Sequence, residues 1–317
     1  MNLVFFGSGA FGVPTLERLS REHAVALIVT QPDRPAGRGK ALTPTPVGAF
    51  AADRLAGVPI VKPQNVNDPE VVERIRGTPA DAWVVIAFGQ KLGRGLLADR
   101  FAINLHASLL PRWRGAAPIN HAILAGDDIT GNSVITLADR MDAGLVLGQS
   151  TRPIDPLVTA GELHDLLASD GPELVLRVLN QHASGTLQPV AQDESAVTLA
   201  GKLAKADGAL EFCAPADEIR CRIHGLNPWP GVTALFRGQP LKLLRVRARD
   251  GDSSPAHAVP WPVGVIVDGA AGRVSCGSGT TLELLEVQPA GGRAMAWADF
   301  ARGQRVQSGE RLEGGGL

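Results

Sequence analysis

The chain has 317 residues, 44% of them hydrophobic and 20% charged, with a formal net charge of −1. That length predicts two domains, each long enough to bury its own core, and the composition excludes a disordered or collagen-like chain. The near-neutral balance excludes a global positive field, so any attraction to nucleic acid or membrane has to come from local patches.

Residues 3–6 are a continuous apolar run and predict a buried strand, and residues 11–19 follow with helical spacing. Pro14 falls in the first turn of that helix, where a missing N–H is tolerated. A second strand is predicted over 23–30. Residues 31–45 then break all periodicity with Pro32, Pro35, Gly37, Gly39 and Pro44. Beyond them come a helix over 47–55, a short strand over 59–61, a helix over 69–76 and apolar strands over 82–88 and 101–105. A helix over 118–125, strands over 133–137 and 144–153 and a long amphipathic helix over 161–182 complete this half. Strand–helix alternation with near-continuous apolar strands predicts an α/β domain whose mainly parallel sheet is covered on both faces.

Residues 185–206 carry little regular pattern and read as a linker between a first domain, 1–184, and a second, 207–317. The second domain opens with a helix over 216–224. Runs rich in β-branched and apolar residues follow over 232–236, 241–246, 263–267 and 281–287, punctuated by Gly and Pro. Short strands spaced by turns predict a small β-barrel or sandwich. The final Gly-Gly-Gly-Leu reads as a frayed tail.

The three cysteines, Cys213, Cys221 and Cys276, are odd in number and contain no C-x-x-C. Neither a disulfide framework nor a cysteine zinc site is expected, and a reducing compartment fits. No apolar run approaches about eighteen residues, and the apolar start lacks a basic stretch, so the expectation is a cytoplasmic protein with no membrane partner. The chain has no tyrosine, so no mechanism can use one.

Gly7-Ser8-Gly9-Ala10-Phe11-Gly12 spells G-x-G-x-x-G between a predicted strand and helix, the context of a dinucleotide turn. The acid about twenty residues on, Asp33, follows Pro32 rather than ending a strand, and glycines also serve plain tight packing. Asp33 opens a segment that runs through Arg34, Arg38 and Lys40, with three cations and two glycines that could track phosphates or simply be solvated. Asn104 and His106 lie two apart at the end of a strand, on one face, at the carboxyl edge where parallel sheets place active sites. Together they offer an oxyanion donor and an acid/base, which suits acyl-type transfer. Ser108 lies nearby, but no G-x-S-x-G elbow is present. Arg112 and Arg114 flank Trp113 and could meet a ligand or an anion. Asp142 could supply a carboxylate to the same crevice. By spacing alone Asp127, Asp128 and Asp139 are equally eligible.

Residues 104–119, Asn-Leu-His-Ala-Ser-Leu-Leu-Pro-Arg-Trp-Arg-Gly-Ala-Ala-Pro-Ile, resemble the central signature of the methionyl-tRNA formyltransferase family. The resemblance extends through 139–144, the loop 31–40, residues 202–208, 226–231 (Leu-Asn-Pro-Trp-Pro-Gly) and 288–303. It implies a Rossmann-like first domain that takes 10-formyltetrahydrofolate as formyl donor, with no NAD and no metal. It also implies an OB-like second domain that contacts initiator methionyl-tRNA, with no obligate protein partner. The implied catalytic set is Asn104, His106 and Asp142. Ser108, Leu109, Leu110 and Pro111 would line the folate, and Arg34, Arg38 and Lys40 would engage the tRNA. The glycine turn becomes a packing feature. Leu199 and Gly201 stand where many members have tyrosine and proline, and Gly48 where a lysine is common. A sugar-nucleotide N-formyltransferase would use the same donor and the same three residues; the basic loop and second domain favour tRNA. A nicotinamide-dependent oxidoreductase would rest on residues 7–12, and a non-catalytic RNA-binding module on the barrel and basic loop.

Overall fold

The computed structural model describes residues 1–36, 41–249 and 261–315. Its first strand, β1 (Asn2–Gly7), is buried from Leu3 onward. A single 3-10 turn, Ala10–Gly12, leads into α1 (Val13–Glu22), with Pro14 in the first turn. Then come β2 (Ala24–Val29), β3 (Arg34–Ala36) and β4 (Ala41–Thr43). The last two pair antiparallel, with Arg34 opposite Thr43, so the aperiodic stretch carries a short hairpin. Four elements follow: α2 (Pro46–Arg54), β5 (Ile60–Val61), α3 (Pro69–Arg76) and β6 (Ala82–Ile86). Next are α4 (Arg94–Leu97), β7 (Ala102–His106), β8 (Arg114–Gly115) and α5 (Pro118–Leu124). β9 (Ile129–Thr136), β10 (Val146–Pro153) and the long α6 (Ala160–Ala183) complete this half.

The sheet order is β10-β9-β7-β6-β1-β2-β5. The five strands from β7 to β5 are mutually parallel, and β9 runs antiparallel to β7. The chain moves outward from β1 to β5 and then returns to β6 on the other side of β1. The strand order therefore reverses at β1/β6, and in open α/β sheets the carboxyl ends at such a point are where ligands bind. The glycine turn after β1 serves close approach: a Cβ on Gly7 would sit 3.0 Å from Ile86 O, and one on Gly9 3.3 Å from the Ala87 Cβ. The N–H groups of Ser8 and Gly9 both donate to Ala87 O at 3.2 Å, so the amides that open this turn are already committed.

In the second half, β11 (Leu199–Ala200) precedes α7 (Ala216–Gly225), β12 (Val232–Phe236) and β13 (Gln239–Arg249). Then come β14 (Ile266–Asp268), β15 (Arg273–Ser275), β16 (Thr281–Pro289) and β17 (Met295–Ala296). The chain ends in α8 (Trp297–Gln304) and β18 (Leu312–Gly314). The order β14-β15-β16-β13-β12-β18 is closed by backbone bonds from Ile266 N to Glu310 O at 2.7 Å and from Leu312 N to Gly264 O at 2.8 Å. Closure makes a small barrel rather than a sandwich. Its core includes Phe236, Leu241, Val246, Leu284, Trp297 and Phe300. Gly314 and Gly315 are not frayed: added Cβ atoms would lie 2.3 Å from Leu210 O and 2.2 Å from Thr233 O. The missing side chains let this segment seat against two backbones.

The chain forms two compact units that interleave in sequence. One comprises Met1–Arg114, Gly131–Arg152 and His164–Leu199, the other Gly115–Thr130, Pro153–Leu163 and Ala200–Leu317. Among the described residues no helix is long and apolar enough to cross a membrane.

Candidate active site

Asn104 and His106 alternate on β7, opposite Ile135 and Ser133 of β9, and so share a face at the carboxyl end of the sheet. His106 is only 7% exposed. Its Nε2 lies 2.9 Å from Trp113 O. A carbonyl can only accept, so Nε2 carries a hydrogen and the ring is oriented by that bond. The opposite nitrogen, Nδ1, lies 3.6 Å from Asp142 Oδ1 and is the position where a proton can come and go. Asn104 is half-buried, and its carboxamide makes no hydrogen bond among the described residues. A donor amide thus stands uncommitted beside an imidazole–carboxylate pair.

The loops that complete this group are held in unusual backbone states. Trp113 and Asp142 have φ of 63° and 53°, the left-handed region that non-glycine residues enter at a cost. Gly144 is required sterically, since a Cβ there would lie 1.7 Å from Thr136 O. Thr136 Oγ1 in turn accepts from Leu145 N at 2.9 Å. Trp113 N donates to Thr198 Oγ1 at 2.9 Å, and Arg114 N to Thr198 O at 2.9 Å. Arg114 does not offer its charge to a ligand. It is 6% exposed, and its guanidinium donates to Gln192 Oε1 at 3.0 Å and Glu194 Oε1 at 2.9 Å. These hydrogen bonds, from Arg114 above all and then from Arg140, hold the Glu194 carboxyl below its ordinary range.

Ser108 to Pro111 leave β7 as a fastened turn. Ser108 Oγ donates to Arg112 O at 2.6 Å, Leu110 N donates to Ser133 Oγ at 3.0 Å, and Ser133 Oγ donates to Ser108 O at 2.6 Å. Gln149 Nε2 donates to Leu110 O at 2.9 Å and to Ser133 Oγ at 2.8 Å. Ser108 and Leu110 are buried, whereas Leu109 and Pro111 keep exposed surface. Ser133 and Gln149 escaped the sequence reading; the alternation of β9 and β10 could have placed them on the sheet, but not over this turn.

Of the four eligible acids, Asp139 is committed to Arg94, whose Nε lies 2.9 Å from its Oδ1, and Asp142 is the one beside His106. Asp33 pairs with Lys62 at 2.6 Å. Arg34 is exposed, with Nη2 3.2 Å from Gln31 Oε1. Arg38 and Lys40 lie outside the described residues. Among the described residues no cluster of three or more His, Cys, Asp or Glu could hold a metal ion.

The family model described as Formyl transferase matches residues 1–179, and the one described as Formyl transferase, C-terminal domain, matches 202–305. Over 318 residues the chain is 42% identical to methionyl-tRNA formyltransferase of Thermobifida fusca, covering 98% of this chain and 99% of that protein. The chain belongs to the methionyl-tRNA formyltransferase family. Another family member, from Heliobacterium modesticaldum, is 42% identical over 323 residues, covering 98% of this chain and all of the relative, 100%. The crystal structure of an N-formyltransferase from Helicobacter canadensis, in complex with folinic acid and dTDP-3-aminofucose, superposes with a TM-score of 0.68 over 89% of this chain and 98% of that one. At 13% identity that likeness shows a shared fold.

Proposed function

We infer that the protein transfers the formyl group of 10-formyltetrahydrofolate to the α-amino group of methionine on initiator methionyl-tRNA. One observation carries the choice of acceptor: the chain is 42% identical, over 98% of its length, to a methionyl-tRNA formyltransferase. The N-formyltransferase neighbour in complex with dTDP-3-aminofucose shares the fold at 13% identity and carries no substrate argument.

The chemistry follows from the three side chains. The acceptor amine attacks the formyl carbon, the carbonyl oxygen becomes an oxyanion, and the bond from that carbon to N10 then breaks. The uncommitted Asn104 carboxamide donates to the oxyanion, a preorganised stabilisation that costs no rearrangement at the moment of reaction. His106, fixed through Nε2 by Trp113 O, exchanges protons through Nδ1. It takes the proton the amine must lose and returns one to N10, so protons balance over the turnover. Asp142 faces Nδ1 and supports the charged ring. The orienting partner is therefore the Trp113 carbonyl, and Asp142 acts on the charge.

Folate supplies an activated one-carbon unit. Leu109 and Pro111 offer it surface beside His106, while Ser108 and Leu110 hold the turn in shape. The residues of 1–184 form the folate-binding and catalytic part, and those of 207–317 the tRNA-contacting part. Arg34, Arg38 and Lys40 supply local positive charge for the acceptor end of the tRNA, which a chain of net charge −1 cannot hold by its overall field. The experiment is formylation of charged initiator and elongator methionyl-tRNA with 10-formyltetrahydrofolate. Donor-dependent transfer to the initiator species is expected; absence of transfer to either would refute the reading.

A further inference from the structure

Gln192 lies about fifty residues from Asp142 in sequence, in the pattern-poor stretch before the barrel. Val190 pairs with Val146 through reciprocal backbone bonds of 2.8 Å, which brings this stretch back against the start of β10. Gln192 then spends its whole amide on two loops of the site. Its Nε2 donates to Asp142 O at 2.8 Å and to Gly144 O at 2.7 Å, and its Oε1 accepts from Arg114 Nε at 3.0 Å. The partners fix the amide orientation, because two carbonyls can only accept and a guanidinium can only donate.

The consequence is a closed circuit. Trp113 O orients one nitrogen of His106, Asp142 Oδ1 faces the other, and the residue after Trp113 meets the residue that clamps Asp142. Glu194 extends the clamp by binding Arg114 and, at 3.0 Å, Arg140, two residues before Asp142. Asp142 sits at positive φ, a state that its surroundings must enforce. Gln192 carries the two bonds that hold the carbonyl of Asp142 itself and that of Gly144, two residues on.

We propose that Gln192 is a positioning residue that sets the Asp142 carboxylate against His106 Nδ1. The proposal rests on the roles given above to His106 and Asp142. No group of the substrate touches Gln192 in this scheme; it acts through the loop. Its chemistry cannot be replaced by glutamate. A carboxylate of the same shape still accepts from Arg114, but it turns an oxygen toward two carbonyl oxygens and pushes the loop away.

The test is steady-state kinetics of Gln192→Glu, of Gln192→Met (apolar and uncharged) and of each in an Asp142→Asn background. A misplacement on the scale of an ångström predicts a fall in kcat of about 10–100-fold. KM for folate and for tRNA should stay within about twofold, because the binding surfaces are untouched. In the Asp142→Asn background the same substitutions should change kcat by less than about twofold, since the carboxylate they position is gone. Circular dichroism identifies any variant that fails to fold, and the remaining one decides. NMR chemical shifts of the His106 ring should move in the same direction in Gln192→Met as in Asp142→Asn. If Asp142→Asn alone keeps wild-type kcat, the role of Asp142 and this inference fall together. If Asp142→Asn is slow but the Gln192 variants are not, or if their losses multiply in full, only the positioning role of Gln192 is overturned.

Discussion

His224 provides a pH-dependent stability that can be worked out from its surroundings. The ring is fully buried on α7. Its Nδ1 lies 3.2 Å from Pro156 O, and its Nε2 accepts from Val246 N at 3.1 Å. A ring that donates from one nitrogen and accepts at the other is neutral, and protonation would break the bond to Val246. Burial, then the nearby Arg220, pushes its pKa down from 6.5 to about 4, with Arg245 adding and Glu162 opposing. For a base whose folded pKa is depressed, the unfolded chain binds the extra proton first. Stability from this ring is thus fully present above pH 6.5 and is lost as pH falls toward 4. At about 1.4 kcal/mol per pKa unit the loss is about 3 kcal/mol. The comparison is wild type against His224→Gln, which cannot titrate and whose Oε1 can still accept from Val246 N. At pH 7 the variant should be less stable by about 1–2 kcal/mol, for one missing hydrogen bond and imperfect packing. The gap should close, then reverse, by pH 4. Urea denaturation followed by tryptophan fluorescence across this range gives both curves. Parallel curves would refute the reasoning, because every carboxylate contributes equally to both proteins and cancels.

Other outcomes follow from the same geometry. His106→Ala should lower turnover about 10²–10⁴-fold, the usual contribution of a positioned acid/base, with folate binding by equilibrium titration little changed. Gly144→Ala places a Cβ 1.7 Å from Thr136 O. It should displace the Asp142 loop and lower kcat while leaving the thermal transition of the barrel in place. Arg34→Ala with Arg38→Ala should raise KM for tRNA and spare KM for folate. The log–log salt dependence should flatten by nearly one unit for each phosphate that is no longer neutralised.

How much of this was legible depended on the range of the forces involved. The helix over 69–76 and the strand over 232–236 match α3 and β12 residue for residue, because local periodicity and flanking Pro or Gly determine both. The β3/β4 hairpin left no trace, since three-residue strands carrying Pro35 and Leu42 have no alternation to read. The helix α8 was missed although Trp297, Phe300 and Ala301 are buried at i, i+3 and i+4; two turns are too few for the pattern to stand out. At the site, Asn104 and His106 were legible from their spacing on a strand. Asp142 was one of four acids that spacing could not separate, and the separation comes from the fold, which sets Asp142 Oδ1 3.6 Å from His106 Nδ1 while Arg94 takes Asp139. Arg114 read as a ligand-binding cation, yet its partners Gln192 and Glu194 lie 78 and 80 residues away, beyond any local pattern.

The central claim is that the Asn104, His106 and Asp142 group passes a formyl unit to an aminoacylated initiator tRNA. The most direct measurement is kcat/KM for charged initiator tRNA against a dTDP-amino sugar in the same reaction, with 10-formyltetrahydrofolate as donor. The account predicts formylmethionyl-tRNA as the product, its formation strongly slowed by His106→Ala and the amino sugar left unmodified. Formyl transfer to the sugar with the tRNA untouched would contradict it.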